Sequence, residues 1–298
     1  MSNFGETGYL NLLKNALDNG DVRQTRNGIT RSLFGQQLKF NLVEGFPLLT
    51  TKKMFTKGII GELLWFLNGH TDNRLLKEQG IHIWDGNSTR EYLDSRRLDY
   101  REDECGPIYG FQWRRFNCRY PGSQVPISEI PIEYKEQDQL AEVVRLIRED
   151  PMSRRIIISG WNPCQLREMC LEPCHVLYQF YVRMVDGKKY LSCHLYQRSA
   201  DLFLGVPFNI ASSALMTHII ADMTDCIADT LTISFGDCHI YEEHIEVVRE
   251  QLDREPFSFP QLSIKEKCSL EGLPQLSIGD FEIVGYKSHG ALKAKMVV

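Results

Sequence analysis

The sequence predicts an α+β fold in which helices flank one large mixed or antiparallel β-sheet. Strand-like runs crowd the second half of the chain, and helical patterns of apolar residues lie before and between them. No low-complexity linker, repeat or change in composition divides the chain. With 298 residues, of which 43% are hydrophobic and 24% charged, one sizeable core is expected. Residues 1–298 are therefore predicted to form a single domain.

Apolar residues recur at helical spacing in four segments. In the first, Leu10, Leu13 and Leu17 share a face and Gly20 ends the pattern. The last segment is apolar on nearly all sides, which is typical of a buried helix. The predicted helices cover residues 8–20, 56–69, 138–151 and 209–225.

Alternating or densely β-branched and aromatic stretches predict the strands. Leu38, Phe40 and Leu42, for example, alternate with polar neighbours. The predicted strands cover residues 32–42, 154–161, 175–184, 189–198 and 231–241, with one more at the start of 281–298. The segment 84–134 is polar and aromatic and carries several Gly and Pro residues, so it is predicted to form mostly long loops.

Composition excludes several classes of protein. The net charge of −5 argues against a general nucleic-acid binder, so RNA is expected at most as a weak partner. Neither a glycine-rich phosphate loop nor a zinc-ligand pattern occurs, so no metal is expected. The nine cysteines are irregularly spaced, and no signal peptide or membrane span is evident. These features predict free thiols in a reducing, cytoplasmic compartment, with a nuclear pool if the source is eukaryotic.

Cys174 and a set of arginines are the candidates for chemistry. Cys174 stands directly before His175, at the start of a predicted strand, and could be either a buried small hydrophobe or a nucleophile. Nearby cations would lower the pKa of a nucleophilic thiol. Arg198 ends a predicted strand within a short polar segment, and arginine suits phosphate because its planar fork donates two parallel hydrogen bonds.

Six segments together closely resemble the thymidylate synthase family. They read EPCHVLYQFYV, LSCHLYQRSADLFLGVPFNIAS, GDCHIYEEH, FPLLTTKKMF, GELLWFLNG and GPIYGFQWR. The resemblance runs from the first helix to the terminal KMVV. It implies the reductive methylation of dUMP to dTMP, with 5,10-methylenetetrahydrofolate as the one-carbon and hydride donor and dihydrofolate as a product. No reductase-like extension is evident, so a monofunctional enzyme is expected.

The resemblance also assigns roles to individual residues. Cys174 matches the thiolate that adds to C6 of uracil, and Asn209 matches the residue that reads the pyrimidine edge. The implied catalytic residues are Cys174, Glu62, Tyr109, Asn209, Asp201 and His175. The implied dUMP ligands are Arg26, Arg154, Arg155, Gln197, Arg198, Ser199, Asn209, His239 and Tyr241. The implied folate contacts are Lys52, Ile83, Trp84, Asn87, Asp201, Phe203, Phe208 and Val298. Arg154 and Arg155 match arginines that reach the partner subunit's phosphate site, so a homodimer joined through a sheet face is implied.

Several positions depart from the family pattern. The first phosphate loop is one residue shorter, so either Arg26 or Thr25 takes the place of its arginine; Arg26 is preferred on chemical grounds. Glu172 replaces a usual proline close to Cys174 and would raise the pKa of the thiol if it pointed inward, although an outward orientation is expected. Ser213 replaces a usual tyrosine. Two alternatives remain: a dUMP hydroxymethylase of the same fold, or an inactive RNA-binding homologue.

Overall fold

Eight strands appear in the structure, a computed structural model that describes residues 3–133 and 136–297. The strands are β1 (Asp21–Thr25), β2 (Gly28–Asn41), β3 (Ile157–Ser159), β4 (His175–Val185), β5 (Lys188–Asp201), β6 (Cys226–Tyr241), β7 (Gln261–Ile264) and β8 (Phe281–Val284). Six of them form one sheet in the order β1-β2-β6-β5-β4-β3, and β7 pairs with β8 in a separate ribbon. Within the large sheet β5 and β6 run parallel and the other neighbours run antiparallel. The predicted mixed sheet is confirmed.

Helices cover both the predicted segments and some that were not predicted. The helices are α1 (Gly5–Asn19), α2 (Thr56–Leu67), α3 (Arg74–Lys77), α4 (Asp85–Ser88), α5 (Arg90–Ser95), α6 (Tyr109–Arg114), α7 (Gln139–Glu149), α8 (Gly205–Met223) and α9 (Ile245–Leu252). Five short 3₁₀ turns cover Ile127–Glu129, Leu166–Glu168, Glu242–His244, Leu273–Gln275 and Ile278–Asp280. The α4, α5 and α6 helices lie inside the segment predicted as loops. They are too short to show a helical period, so their packing determines them.

One predicted strand is too long, and two observed strands, β1 and β7, were not predicted. The segment 154–161 contributes only the short strand Ile157–Ser159, which is flanked by backbone hydrogen bonds that join Ile156 and Gly160 to β4. The β1 strand was not predicted, since its residues are almost all exposed and show no alternation. It exists as the outer arm of a hairpin with β2, closed at Thr25 and Gly28.

The core lies between one face of the large sheet and the helices. On that face β4 presents Tyr178, Phe180 and Val182, all of them buried. The α8 helix packs against β5 and β6, and α1 packs against β2. Most of α8 is buried, which explains why its sequence is apolar on nearly all sides. The opposite face of the sheet stays open to solvent.

Strand register brings the candidate residues together at one edge of the sheet. His175, the first residue of β4, lies opposite Gln197 near the end of β5. On the other side of β5, Asp201 lies opposite His239 of β6. Segments from distant parts of the sequence therefore meet at this edge.

Candidate active site

A cavity of about 510 Å³ opens at this edge of the sheet. It collects residues from the turn after β1, from α2, from the loop before β4, from the ends of β5 and β6, and from the C-terminal tail. Its lining residues include Arg26, Glu62, Trp84, Asn87, Tyr109, Cys174, His175, Gln197, Arg198, Ser199, Asp201, Asn209, His239 and Tyr241. Residues that the sequence only implied as one set are thus brought together in one place.

Cys174 is held in place from both sides of its backbone. Its N–H donates to the hydroxyl of Tyr109 at 2.7 Å. Its carbonyl accepts from the backbone N–H of Arg198 at 2.9 Å. The Arg198 guanidinium in turn donates to the carbonyls of Pro173 and Glu172, each at 2.9 Å. Residues 171–174, called the nucleophile loop below, are therefore fixed by β5 and α6.

The electrostatic environment of Cys174 corrects one expectation. Burial raises the pKa of the thiol, and the Arg198 guanidinium and the Tyr109 hydroxyl only partly oppose this effect. The Glu172 carboxylate raises the pKa further. Arg198 lowers the pKa of this thiol, as nearby cations were expected to do, but burial outweighs this single close cation, so the net pKa is raised.

A chain of hydrogen bonds fixes the side-chain amide of Asn209. Gln197 Nε2 donates to the backbone carbonyl of Ser199 at 3.0 Å, which sets the orientation of the Gln197 amide. The same Nε2 donates to Asn209 Oδ1 at 2.9 Å. Asn209 therefore keeps Nδ2 as its donor, and Gln197 Oε1 is a buried acceptor with no hydrogen-bond partner among the described residues.

His175 lies beside this chain as a neutral ring. Its Nδ1 shares a hydrogen bond of 3.1 Å with the hydroxyl of Tyr178. Burial lowers the pKa of His175 to about 4, and a hydrogen bond with Asn209 only partly opposes this effect. The imidazole is therefore uncharged at neutral pH, and it can serve as a hydrogen-bonding group for the amide of Asn209.

Glu62 and Trp84 form the opposite wall. Trp84 Nε1 donates to Glu62 Oε1 at 2.8 Å. Burial nevertheless raises the pKa of Glu62 to about 7. A carboxyl group with this pKa can both give and take a proton near neutral pH, which suits general acid–base chemistry.

A second cavity of about 340 Å³ adjoins the first and carries arginines. Arg26 and Arg198 line both cavities. The hydroxyl of Thr25 donates within its own turn to the carbonyl of Gly28 at 2.7 Å, which favours Arg26 over Thr25 as the residue facing a ligand. Arg23 also lines this cavity, although its guanidinium is paired with Asp237, and no pattern in the sequence singled it out.

His239 is oriented by the neighbouring carboxylate. Its Nδ1 lies 2.8 Å from Asp237 Oδ1, and this contact holds the pKa of Asp237 below its usual range. The ring of Tyr241 stands edge-on to that of His239, with centroids 5.2 Å apart. Both rings line the two cavities, so they sit between the arginine-rich end and the end that holds Cys174.

The implied folate residues divide into two groups. Trp84, Asn87 and Asp201 line the 510 Å³ cavity. The described residues that line it do not include Lys52, Ile83, Phe203 or Phe208. The ammonium of Lys52 is buried against the carbonyl and the ring of Phe203. Burial lowers its pKa to about 7, against the attraction of Asp201. Val298 lies outside the described residues.

The C-terminal tail reaches the cavity through residues that were not singled out beforehand. Met296 and Val297 line it. The carbonyl of Lys295 lies 2.9 Å from His244 Nε2, which ties the tail to the end of β6. Other lining residues outside the implied set are Asn27, Phe66, Tyr92, Leu171, Glu172 and Gly205. Arg154 and Arg155 are exposed ahead of β3 and are not among the residues that line either cavity in the described chain.

The sheet and the cavity define an α+β protein that presents a cysteine and several arginines to one ligand site. The profile of the thymidylate synthase family matches residues 7–298, so the chain belongs to that family. The thymidylate synthase of Agaricus bisporus is 46% identical over 299 residues, which are 98% of this chain and 99% of that protein. The thymidylate synthase of Saccharomyces cerevisiae is 46% identical over 304 residues, covering 98% and 97%.

Some relatives are longer. The bifunctional dihydrofolate reductase-thymidylate synthase of Paramecium tetraurelia is 45% identical over 295 residues, which are 98% of this chain and 61% of that protein. This chain thus spans about half to three-fifths of the length of its bifunctional relatives.

In residues 3–133 and 136–297, no helix has the length and apolar character needed to cross a membrane. The described part of the chain also holds no group of three or more His, Cys, Asp or Glu residues that could bind a metal.

Proposed function

We propose that this protein reductively methylates dUMP to dTMP with 5,10-methylenetetrahydrofolate. Family membership and relatives named thymidylate synthase support the reaction. The observation that carries it is the shared cavity of Cys174 and Asn209, in which Gln197 leaves the amide N–H group of Asn209 as a donor. A donor at that place suits O4 of uracil, whereas the corresponding amino group of cytosine would require an acceptor.

The nucleotide is expected to lie with its phosphate in the arginine-rich cavity. Arg26, Arg198 and Ser199 line that end and offer charged and hydroxyl donors to a dianion. His239 and Tyr241, between the two ends, would hydrogen-bond the deoxyribose hydroxyl. This placement brings the pyrimidine beside Cys174 and Asn209.

The first chemical step is the addition of the Cys174 sulfur to C6 of uracil. A C–S bond forms, the thiol proton passes to water in the cavity, and the C5–C6 π electrons shift toward O4, so that C5 becomes nucleophilic. Because burial raises the pKa of the free thiol, the step needs local help. Arg198 is the cation that lowers the pKa of Cys174, and Asn209 offers a donor to O4 as negative charge develops there.

We assign the proton transfers at C5 and O4 to Glu62 and Tyr109. Burial raises the pKa of Tyr109 well above its usual range, so its hydroxyl stays protonated at neutral pH. It therefore acts as a hydrogen-bonding group or relays a proton through water. Glu62, with a pKa of about 7, can exchange protons with ordered water on the same side of the cavity.

The cavity fits a folate beside the nucleotide. Asp201 accepts the backbone N–H groups of Phe203 and Leu204 through Oδ1, at 2.9 and 3.2 Å, which leaves Oδ2 for the N–H groups of a pterin ring. Trp84 and Phe66 supply aromatic surface for flat rings. When bound, the cosubstrate supplies a one-carbon unit and a hydride. Met296 and Val297 would cover this end and exclude water.

A homodimer formed through the open face of the sheet is part of the proposal. Tyr181 and Tyr196, which are 65% and 40% exposed, alternate with buried residues of β4 and β5 and so lie on the open face, and Phe34 of β2 is 82% exposed. Exposed aromatic side chains on a sheet face suggest an isologous contact. Arg154 and Arg155 are exposed and could therefore reach the partner subunit's phosphate site.

We place the enzyme in the cytoplasm, because all nine cysteines are free thiols.

Incubating purified protein with dUMP and methylenetetrahydrofolate tests the reaction. Dihydrofolate is followed by absorbance and the nucleotide by mass, so both products are seen in one reaction. Equal amounts of dTMP and dihydrofolate support the proposal. Formation of 5-hydroxymethyl-dUMP without dihydrofolate would instead identify the protein as a hydroxymethylase. Absence of both products would favour the alternative of an inactive homologue.

A further inference from the structure

Arg96 and Glu172 form an ion pair across the rim of the cavity. A guanidinium nitrogen of Arg96, the residue that caps the C-terminal end of α5, contacts a carboxylate oxygen of Glu172 in the nucleophile loop. The two side chains are 22% and 32% exposed, so the pair is only partly screened by solvent. It joins two segments that are 76 residues apart in sequence.

The pair is built into the wall that faces the ligands. Tyr92, one helical turn before Arg96, lines the cavity together with Leu171 and Glu172. The backbone carbonyl of Glu172 also accepts from Arg198 at 2.9 Å. Glu172 is therefore held at its side chain by α5 and at its backbone by β5.

We propose that the Arg96–Glu172 ion pair is a positioning pair. It ties α5 to the nucleophile loop, and it holds the Glu172 carboxylate where its negative charge disfavours the thiolate of Cys174 least. This inference deepens the proposed function and rests on it only for the turnover measurements.

The charges around the thiol show why the pair matters. Three groups act on the pKa of Cys174 besides burial: Arg198 and Tyr109 lower it, and Glu172 raises it. Arg96 holds the pKa of Glu172 below its usual range, so the carboxylate is ionised. Without Arg96 the carboxylate would keep only the weaker attraction of Arg198 and be free to turn into the cavity that would hold the anionic nucleotide.

The test compares single and double variants. Arg96→Met keeps a long side chain but removes the charge, Glu172→Gln removes the carboxylate, and the double variant removes both. Reactivity is measured as the pH profile of iodoacetamide alkylation, read at Cys174 by fragment mass spectrometry because Cys170 shares its peptide. Arg97→Met, at the exposed neighbouring arginine, is the matched control for lost charge.

We expect Arg96→Met to slow alkylation of Cys174 at pH 7 by about three- to tenfold, as for charges several ångströms apart near a surface. The double variant should return to the wild-type rate or exceed it, because Arg96 acts through Glu172. Arg96→Lys should recover most of the rate. The value of kcat/KM for dUMP should follow the same order while thermal unfolding changes little.

Two results would overturn the inference. If Arg96→Met alkylates at the wild-type rate, the pair does not act on the thiol. If the double variant is as slow as Arg96→Met, Arg96 acts by packing and not through the carboxylate. Because alkylation needs neither dUMP nor folate, a failure of the proposed reaction would leave this measurement intact.

Discussion

The hydroxyl of Tyr109 accepts the backbone N–H of Cys174 at 2.7 Å, so the first residue of α6 holds the nucleophile loop directly. A tyrosine that is a hydrogen-bond acceptor and also has a pKa well above its usual range is poorly suited to act as an ionised base. Its hydroxyl is better suited to holding the loop and bridging to water.

Replacing Tyr109 with Phe should therefore affect both structure and rate. The N–H of Cys174 would lose its partner in a largely buried place, at a cost of about 1–3 kcal/mol. We expect a lower melting temperature and a turnover reduced by tenfold or more, with dUMP binding retained. Calorimetry and steady-state kinetics measure the two effects. A variant that unfolds at the wild-type temperature would show that water replaces the hydroxyl fully.

Cys174→Ser should separate binding from chemistry. A serine hydroxyl at neutral pH is a far poorer nucleophile than a thiol, so turnover should fall by several orders of magnitude. The phosphate and pyrimidine contacts remain, so isothermal titration should still detect dUMP. Turnover within tenfold of wild type would remove Cys174 from the mechanism.

Those parts of the fold with a strong local pattern could be predicted from the sequence. The α7 and α8 helices and strands β2, β4, β5 and β6 all showed such patterns. The β1 strand and α5 did not, because the first is an exposed hairpin arm and the second has six residues. Both owe their existence to tertiary contacts.

The candidate site, too, could be predicted only in part. The resemblance implied that Cys174, Asn209 and Arg198 belong to one site, but the net pKa of Cys174 could not be predicted from nearby arginines. That pKa depends on how deeply the loop is buried, which no local pattern records. The Arg96–Glu172 contact likewise joins residues whose proximity only the folded chain reveals.

Glu62 should make both activity and stability depend on pH. Its pKa is raised from 4.5 to about 7, so the folded protein binds a proton more tightly than the unfolded chain between these values. This contribution to stability is full below pH 4.5 and is lost as the pH rises through 7. Glu62→Gln should therefore gain about 2–3 kcal/mol over wild type at pH 8 but little at pH 4.5.

Chemical denaturation at several pH values measures this difference. In parallel, kcat/KM of the wild type should change slope near pH 7, and Glu62→Gln should be much slower and lack that change. An equal stability difference at pH 5 and pH 8 would show that Glu62 does not titrate in this range. Glu78, an exposed glutamate at the C-terminal end of α3 that does not line the cavity, gives a matched control as Glu78→Gln.

Asn209→Asp tests how the pyrimidine is read. The Gln197 bond to Oδ1 leaves Nδ2 as a donor, and a carboxylate at this position would place an oxygen against O4 of uracil. Such a mismatch costs about 1–3 kcal/mol, or roughly ten- to a hundredfold in the preference for dUMP over dCMP. Competition between the two nucleotides measures that ratio. An unchanged ratio would show that another group reads the ring.

Mixing two inactive variants tests the proposed dimer. Arg155 is exposed ahead of β3 and is not among the described residues that line the cavities of its own chain, which is expected if it serves the partner. Arg155→Ala and Cys174→Ala each disable both sites of their own homodimer. In a mixed dimer one site combines an intact Cys174 with an intact Arg155, so unfolding and refolding the mixture should restore up to about a quarter of wild-type activity, since half the dimers are mixed and each has one good site.

Arg145→Ala, at an exposed arginine of α7 paired with Glu142 and Glu149, is the matched control and should leave activity unchanged in any mixture. Analytical ultracentrifugation of the wild type should show a dimer, and Tyr181→Glu on the open sheet face should shift it toward monomer. A mixture that stays inactive although mixed dimers form would place Arg155 outside the partner's site. An active monomer would remove the need for a shared site altogether.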